Sequence, residues 1–280
     1  MKYTKFRALS ILTAAAMLLC ACDKQSDAPE VTGEFKITVF DVGKADAMVL
    51  QTASHTVVLD TGNKGDGKDI EKFLEKQEIT KIDALILSHF DKDHVGGAAR
   101  LVNHMEIGEI YLPDYASDID EYNAFEEKLA ETDISPQVLA AGAHTEWAFD
   151  DVSFTLDAAE KTDYGKNEEN DFSLCLYARH GENSFLFAGD AEEARQQEII
   201  AKDYGKVTFL KYPYHGNYLA TTEKFLDAFK PQYAVVCCSE KEFAQDETVS
   251  TFEKRKIAAY YTSDGDIQIV SDGKTLNVTQ

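Results

Sequence analysis

The chain has 280 residues, with 28 Lys+Arg against 50 Asp+Glu, a formal net charge of −22. Its 44% hydrophobic and 28% charged residues suit a globular protein long enough to bury a core. This composition excludes collagen, coiled coil, a multi-span membrane protein and a disulfide-dense miniprotein. The negative field disfavours nucleic acid and anionic lipid head groups as partners.

Lys2, Lys5 and Arg7 precede an apolar run, Ala8 to Leu19. Its 12 residues are too few to span a bilayer but fit the core of a signal peptide. Leu19-Cys20-Ala21-Cys22 then resembles a bacterial lipobox. The resemblance implies a signal over residues 1–21, lipidation of Cys22, and a location at the bacterial cell surface or the periplasmic side of the membrane, held only by the lipid anchor. Cys20 is the less suitable acceptor because bulky Leu19 precedes it. Loss of Lys2, Lys5 and Arg7 takes the net charge from −22 to −25. Residues 22–34 are polar, with Pro29 and Gly33, and read as a flexible tether to a domain at 35–280.

Phe35 to Phe40 alternates as a strand, followed by strands at Ala47–Thr52 and Thr56–Asp60, an antiparallel opening. Lys68 to Gln77 has helical spacing, with Ile70, Phe73 and Leu74 on one face. Ala84 to Ser88 is a continuous apolar run, the mark of a buried strand. A helix over 96–104 and a strand from Glu109 to Leu112 complete an α/β unit. The stretch 114–133 is acidic and reads as a solvated helix. Strands are expected at Val138-Leu139, Glu146–Phe149, Val152–Leu156, Ser173–Tyr177 and Ser184–Ala188, then a helix over 191–202. A strand from Val207 to Tyr212, a helix over 222–229, a strand at 233–236 and a hairpin around Asp272-Gly273 close the chain. Of the five cysteines, Cys20 and Cys22 belong to the leader, Cys175 reads as buried, and adjacent Cys237 and Cys238 do not form a zinc pattern.

The chemistry concentrates in Ser88-His89-Phe90-Asp91-Lys92-Asp93-His94-Val95-Gly96-Gly97. Four potential ligands, His89, Asp91, Asp93 and His94, follow a buried strand and precede a helix, so a loop there can turn them to one point. Imidazole with carboxylate suits Zn²⁺ first and Mn²⁺ as the alternative. Gly96-Gly97 allows close backbone approach.

This segment resembles the His-x-His-x-Asp-His motif of the metallo-β-lactamase superfamily, with Asp91 where the second His stands. Its His-x-Asp-x-Asp-His form is similar to the hydrolase domain of ComEC-type competence proteins. Phe40-Asp-Val-Gly-Lys-Ala-Asp46-Ala, Val58-Leu-Asp60-Thr-Gly, Asn170-Asp-Phe-Ser173, Phe187-Ala-Gly-Asp190 and Leu210-Lys-Tyr-Pro-Tyr-His215-Gly-Asn continue the resemblance in order, over about residues 36–278. It implies a four-layer αβ/βα sandwich with one or two divalent metals. His89 and Asp91 would hold one, Asp93 and His94 the other; Asp190 would bridge and His215 would complete the second. Asp93 could also take a proton from an activated water. Asp46 and Asp60 would orient the ligands. Asn170 or Asp171 would stand in for a His absent from the first position. Tyr214, where the family has His, could donate to a substrate oxygen, and Lys211 could neutralise a phosphate.

The reaction implied is hydrolysis, with a phosphodiester in a small molecule or envelope polymer as the expected substrate, nuclease-like or phosphorylcholine-esterase-like. Nucleic acid is disfavoured by the charge. Amide or lactone hydrolysis of β-lactamase type is an alternative. A non-catalytic surface-binding lipoprotein on a decayed fold is another, allowed by Tyr214 and Asn217.

Overall fold

A computed structural model describes residues 31–165 and 169–280. The expected signal, Cys22 and most of the tether lie outside the described residues. The tether's last residues are fixed to the body: Thr32 donates to Asp151 Oδ2 through its backbone N–H (2.8 Å) and its hydroxyl (2.9 Å).

The first half runs β1 (Phe35–Val39), β2 (Ala47–Gln51), β3 (Thr56–Thr61), α1 (Gly67–Glu75) and β4 (Lys81–Ile86). It continues through α2 (Lys92–Val95), α3 (Ala98–His104), β5 (Glu106–Pro113), α4 (Asp120–Leu129) and β6 (Gln137–Leu139). The second half runs β7 (His144–Phe149), β8 (Val152–Asp157), β9 (Cys175–His180), β10 (Asn183–Phe187), α5 (Glu193–Ala201) and β11 (Phe209–Lys211). Then come α6 (Thr222–Phe229), β12 (Tyr233–Val236), α7 (Asp246–Arg255), β13 (Ala258–Tyr261), β14 (Ile267–Ser271) and β15 (Leu276–Thr279).

Two sheets result. One has the order β15-β14-β1-β2-β3-β4-β5-β6, the other β13-β12-β11-β10-β9-β8-β7. Both switch from antiparallel to parallel pairing where the chain begins to cross over through helices, at β3–β4 and at β10–β11. Residues alternate between faces. Ile37, Met48, Leu59 and Ile86 of the first sheet meet Phe154, Leu176, Phe185 and Phe209 of the second in a central core. The outer face of the first sheet, with Val49, Val58 and Leu85, takes Ile70, Leu74, Leu101 and Phe125 from the helices. Leu186, Leu210 and Ala234 of the second sheet take Ile199, Phe225 and Phe252. This is the expected αβ/βα sandwich.

Some expectations change. The acidic helix covers only 120–129; residues 114–119 run ahead of it without helix, and Tyr122 and Phe125 are buried on its inner face. The helix expected over 96–104 is α3, which starts at Ala98, and a further short helix, α2, precedes the two glycines. Helix α7 and strand β13 had no reading in the sequence. Cys175, Cys237 and Cys238 are buried free thiols. No helix among the described residues is long and apolar enough to cross a membrane.

Candidate metal centre

The ligand-bearing loops leave the ends of β4, β10 and β11. Beyond β4 the chain turns through His89 and Asp91 into α2, where the N–H groups of His94 and Val95 donate to the Asp91 carbonyl (2.9 and 3.0 Å). That single turn brings His94 beside His89, ring centroids 4.0 Å apart. Glycines 96 and 97 seat the turn on the β3–α1 loop. A Cβ on Gly96 would lie 2.4 Å from the Asn63 carbonyl carbon, and one on Gly97 would lie 2.4 Å from the Thr61 carbonyl oxygen.

Asp190 follows Gly189, whose φ is +54° and whose absent Cβ would sit 2.8 Å from Ser173 Oγ. The Asp190 N–H donates to that hydroxyl (3.1 Å). His215 stands in a left-handed turn: φ is +54° at Tyr214, +50° at His215 and +83° at Gly216. Asp60 also has positive φ, +56°. Such backbone at non-glycine residues costs free energy and persists where the surroundings enforce it.

The hydrogen bonds fix the tautomer of each imidazole. His94 Nδ1 donates to Asp60 Oδ2 (2.9 Å), and His215 Nδ1 donates to the Cys237 carbonyl (2.9 Å). Asp60 also accepts from the N–H and Oγ of Ser88, each at 2.7 Å. With its own hydrogen so used, Ser88 Oγ accepts from His89 Nδ1 at 3.1 Å. All three rings therefore turn Nε2 outward as an electron pair. All three Nε2 atoms are buried without a hydrogen-bond partner.

Those nitrogens meet carboxylates. Asp190 Oδ2 lies 3.4 Å from His94 Nε2 and 2.8 Å from His215 Nε2, while Asp93 Oδ2 lies 3.2 Å from His215 Nε2. Asp91 Oδ2 is 3.8 Å from His89 Nε2. Neutral rings would face these carboxylates lone pair to lone pair, so either protons on the imidazoles or a metal cation lies between them. Bonds of about 2.1 Å to a tetrahedral ion place donors roughly 3.4 Å apart. Ligand atoms of Asp46, His94, Asp190 and His215, all buried, lie within 4.8 Å of one another. The donor set thus fits a divalent metal held by imidazole and carboxylate.

Burial and the neighbouring charge of His94 push His89 down to about 4, so it is a neutral donor. Burial also opposes charge on His215, but Asp190 and Asp93 outweigh it and raise its pKa to about 9. Asp190 lies well below the usual carboxylate range: burial works against its charge, and His215, His94 and Lys211 overcome it. Without a metal, protons on the imidazoles balance these carboxylates.

Residues 40–143 match the profile of the metallo-beta-lactamase superfamily. Recombination protein 2 of Haemophilus influenzae is 25% identical over 207 residues, covering 72% of this chain and 24% of that protein. ComE operon protein 3 of Bacillus subtilis is 25% identical over 229 residues, covering 74% and 29%. This chain therefore spans less than a third of the length of these curated relatives. Among solved structures, the CmlA beta-hydroxylase E377D mutant superposes with a TM-score of 0.56 at 14% identity, covering 85% of this chain and 54% of that one. Igni18, a metallo hydrolase of Ignicoccus hospitalis, gives 0.53 at 16% identity, covering 88% and 99%. At these identities the structural likenesses establish the fold, which is the metallo-beta-lactamase sandwich, and the donor set stands at the place where its loops converge.

The structure brings His89, Asp91, Asp93, His94, Asp190 and His215 together, with Asp60 behind His94. Two expectations, for Lys211 and Asp171, need correction. Lys211 is not placed to meet a substrate phosphate: it is fully buried, paired with Asp46 and 3.4 Å from Asp190 Oδ1. Asp171 caps a helix, its Oδ1 accepting from the N–H groups of Glu192 (2.9 Å) and Arg195 (3.0 Å) at the start of α5. Asn170 lies beside that helix, donating through Nδ2 to Glu192 Oε1 (2.8 Å), and its Oδ1 is buried without a hydrogen-bond partner. Tyr214 keeps its proton, because burial and the charges of Glu192 and Asp190 push its pKa up.

Sequence reasoning missed Ser88, Ser173, the Cys237 carbonyl and Glu192. Only Ser88 and Ser173 had a signal, as polar residues within the quoted segments. Glu192 contacts Asn170 through a pairing 22 positions apart, and a carbonyl has no sequence identity.

Proposed function

We propose that this protein is a metal-dependent hydrolase of phosphodiester bonds in a small molecule or envelope polymer, anchored outside the cytoplasmic membrane by a lipid on Cys22. The observation that carries the hydrolase reading is the set of three buried imidazole Nε2 atoms without hydrogen bonds, turned toward the carboxylates of Asp91, Asp93 and Asp190. The phosphodiester reading rests on the carboxylate-rich donor set and the competence relatives; the anchor rests on the Leu19-Cys20-Ala21-Cys22 pattern.

His94, His215, Asp190 and Asp93 would hold one metal, Zn²⁺ or Mn²⁺, and His89 with Asp91 a second. A divalent ion supplies Lewis acidity there, lowering the pKa of water and offsetting charge that develops on a phosphoryl oxygen. The chain's own residues do the rest. Asp60 and the Cys237 carbonyl keep the ring protons on Nδ1, so Nε2 stays available. Asp93 is held ionised: burial opposes its charge, but the neighbouring His215 and His94 prevail. With a side chain 21% exposed, it can be reached by water and receive its proton. Tyr214 remains a donor and can hydrogen-bond an oxygen of the substrate.

A net charge of −22 opposes a polyanion, and Asp118 adds to the negative charge around Glu169 near the Asp91 loop. Both favour a substrate with a cationic group, such as a phosphocholine ester, over bulk DNA. The test is a Zn²⁺ and Mn²⁺ titration with a screen of bis-p-nitrophenyl phosphate, phosphocholine esters, nitrocefin and single-stranded DNA. Chelator-sensitive phosphodiester cleavage that His94→Ala abolishes is expected. Turnover of nitrocefin alone would replace the reading with amide hydrolysis, and no turnover with full metal loading would replace it with a binding role.

A further inference from the structure

Behind the imidazoles lies a second charge system. Lys211, at the end of β11, has no solvent exposure, and its ammonium donates to the Gly189 carbonyl at 2.9 Å. The same ammonium is in ion-pair contact with Oδ2 of Asp46 and is 3.4 Å from Oδ1 of Asp190. Asp46 is equally buried. Its oxygens approach Nδ1 of His215 (3.7 Å) and Nδ1 of His94 (3.9 Å). Those nitrogens are the ones already engaged by the Cys237 carbonyl and Asp60. The Nε2 atoms face Asp190 instead. Asp46 is therefore close to the donor cluster but stands at the back of its rings. Its backbone ties it to the same loop: its N–H donates to the Asp93 carbonyl (3.0 Å), and its carbonyl accepts from Gly62 (2.7 Å).

We propose that Asp46 and Lys211 form a buried charge couple that positions Asp190, with the ammonium occupied by Oδ1 so that Oδ2 is the oxygen turned to His94 and His215, and that Asp46 is the partner of Lys211 and not a metal ligand. The proposal rests on the metal reading of the site. A buried ammonium without its carboxylate, or the reverse, leaves an uncompensated charge, whereas removing both leaves none. Lys211 is thus a positioning residue acting through Asp190.

The experiment compares Asp46→Asn, Lys211→Met and the double variant with the parent. Thermal unfolding is measured in chelator, and Co²⁺ binding is followed by its visible absorption. Each single variant should lower Tm by about 10 °C or fail to fold, and the double should recover most of that loss. The double should keep the parent's Co²⁺ band positions and bind Co²⁺ about 10- to 100-fold more weakly, since Asp190 is no longer pinned. A double variant no more stable than the worse single overturns the couple. Band positions shifted alike in Asp46→Asn and in the double overturn it too, because they mark Asp46 as a ligand. A parent that takes up no Co²⁺ defeats the metal reading by itself, and the unfolding cycle in chelator still decides the couple.

Discussion

The two halves of the donor set are built to different standards. Around His94, Asp190 and His215 every group is buried and backed: Asp60 holds one ring, the Cys237 carbonyl the other, and Ser173 with Lys211 holds the carboxylate. Around His89 the ring is backed by Ser88, but the Asp91 side chain is 41% exposed and 3.8 Å away. Asn170 turns its amide nitrogen to Glu192, and Asp171 is committed to a helix. The number of ligand-type residues in a motif is thus a poor guide to the site it makes. Affinity follows from what holds each ligand from behind, because outer partners set its orientation and basicity.

The largest expected effect lies in the well-backed half. His94→Ala removes one of the two Nε2 atoms that face Asp190 and leaves Asp60 without its imidazole partner, so metal affinity and hydrolysis should fall more than about a hundredfold, beyond the usual cost of an outer partner. Calorimetric metal titration with a phosphodiesterase assay checks it. Next, Asp60→Ala leaves every ligand in place yet should weaken metal binding by about 10- to 100-fold, since the His94 ring loses its tautomer lock. An unchanged affinity would show that backing does not govern this half. In the other half Asp91→Asn should cost at most the weaker of two metal equivalents and leave the tighter isotherm intact. If the tighter event disappears, the two halves are one unit. The smallest effect belongs to Asp171→Ala, which should lower stability by about 1 kcal/mol through the lost cap of α5, read by urea unfolding, with metal affinity unchanged.

Much of the fold was legible in the sequence because its periodicities are strong. Thr222–Phe229 and Tyr233–Val236 stand at the bounds expected of them, and both sheets follow from alternating or continuous apolar runs. Helix α7 was not legible. Only Thr248, Thr251 and Phe252 are buried on it, amid Asp, Glu, Lys and Arg. The acidic stretch looked longer as a helix than it is because charge does not mark where a helix starts. Residues 114–119 instead carry Tyr115, whose hydroxyl accepts from the Phe90 N–H at 2.6 Å beside the ligand loop. Within the site, side chains on one loop could be read together, as His89, Asp91, Asp93 and His94 were. Lys211 could not. Its place behind Asp190 depends on β10 and β11 lying parallel, Phe187 opposite Lys211, a register that no local pattern encodes.

The inequality of the two halves is most directly tested by metal content after exhaustive dialysis, measured by plasma mass spectrometry on the Zn²⁺-loaded parent, Asp91→Asn and His94→Ala proteins. The account predicts about one retained equivalent in the parent and in Asp91→Asn, and none in His94→Ala. Two equally retained equivalents in the parent, or a retained equivalent in His94→Ala, would contradict it.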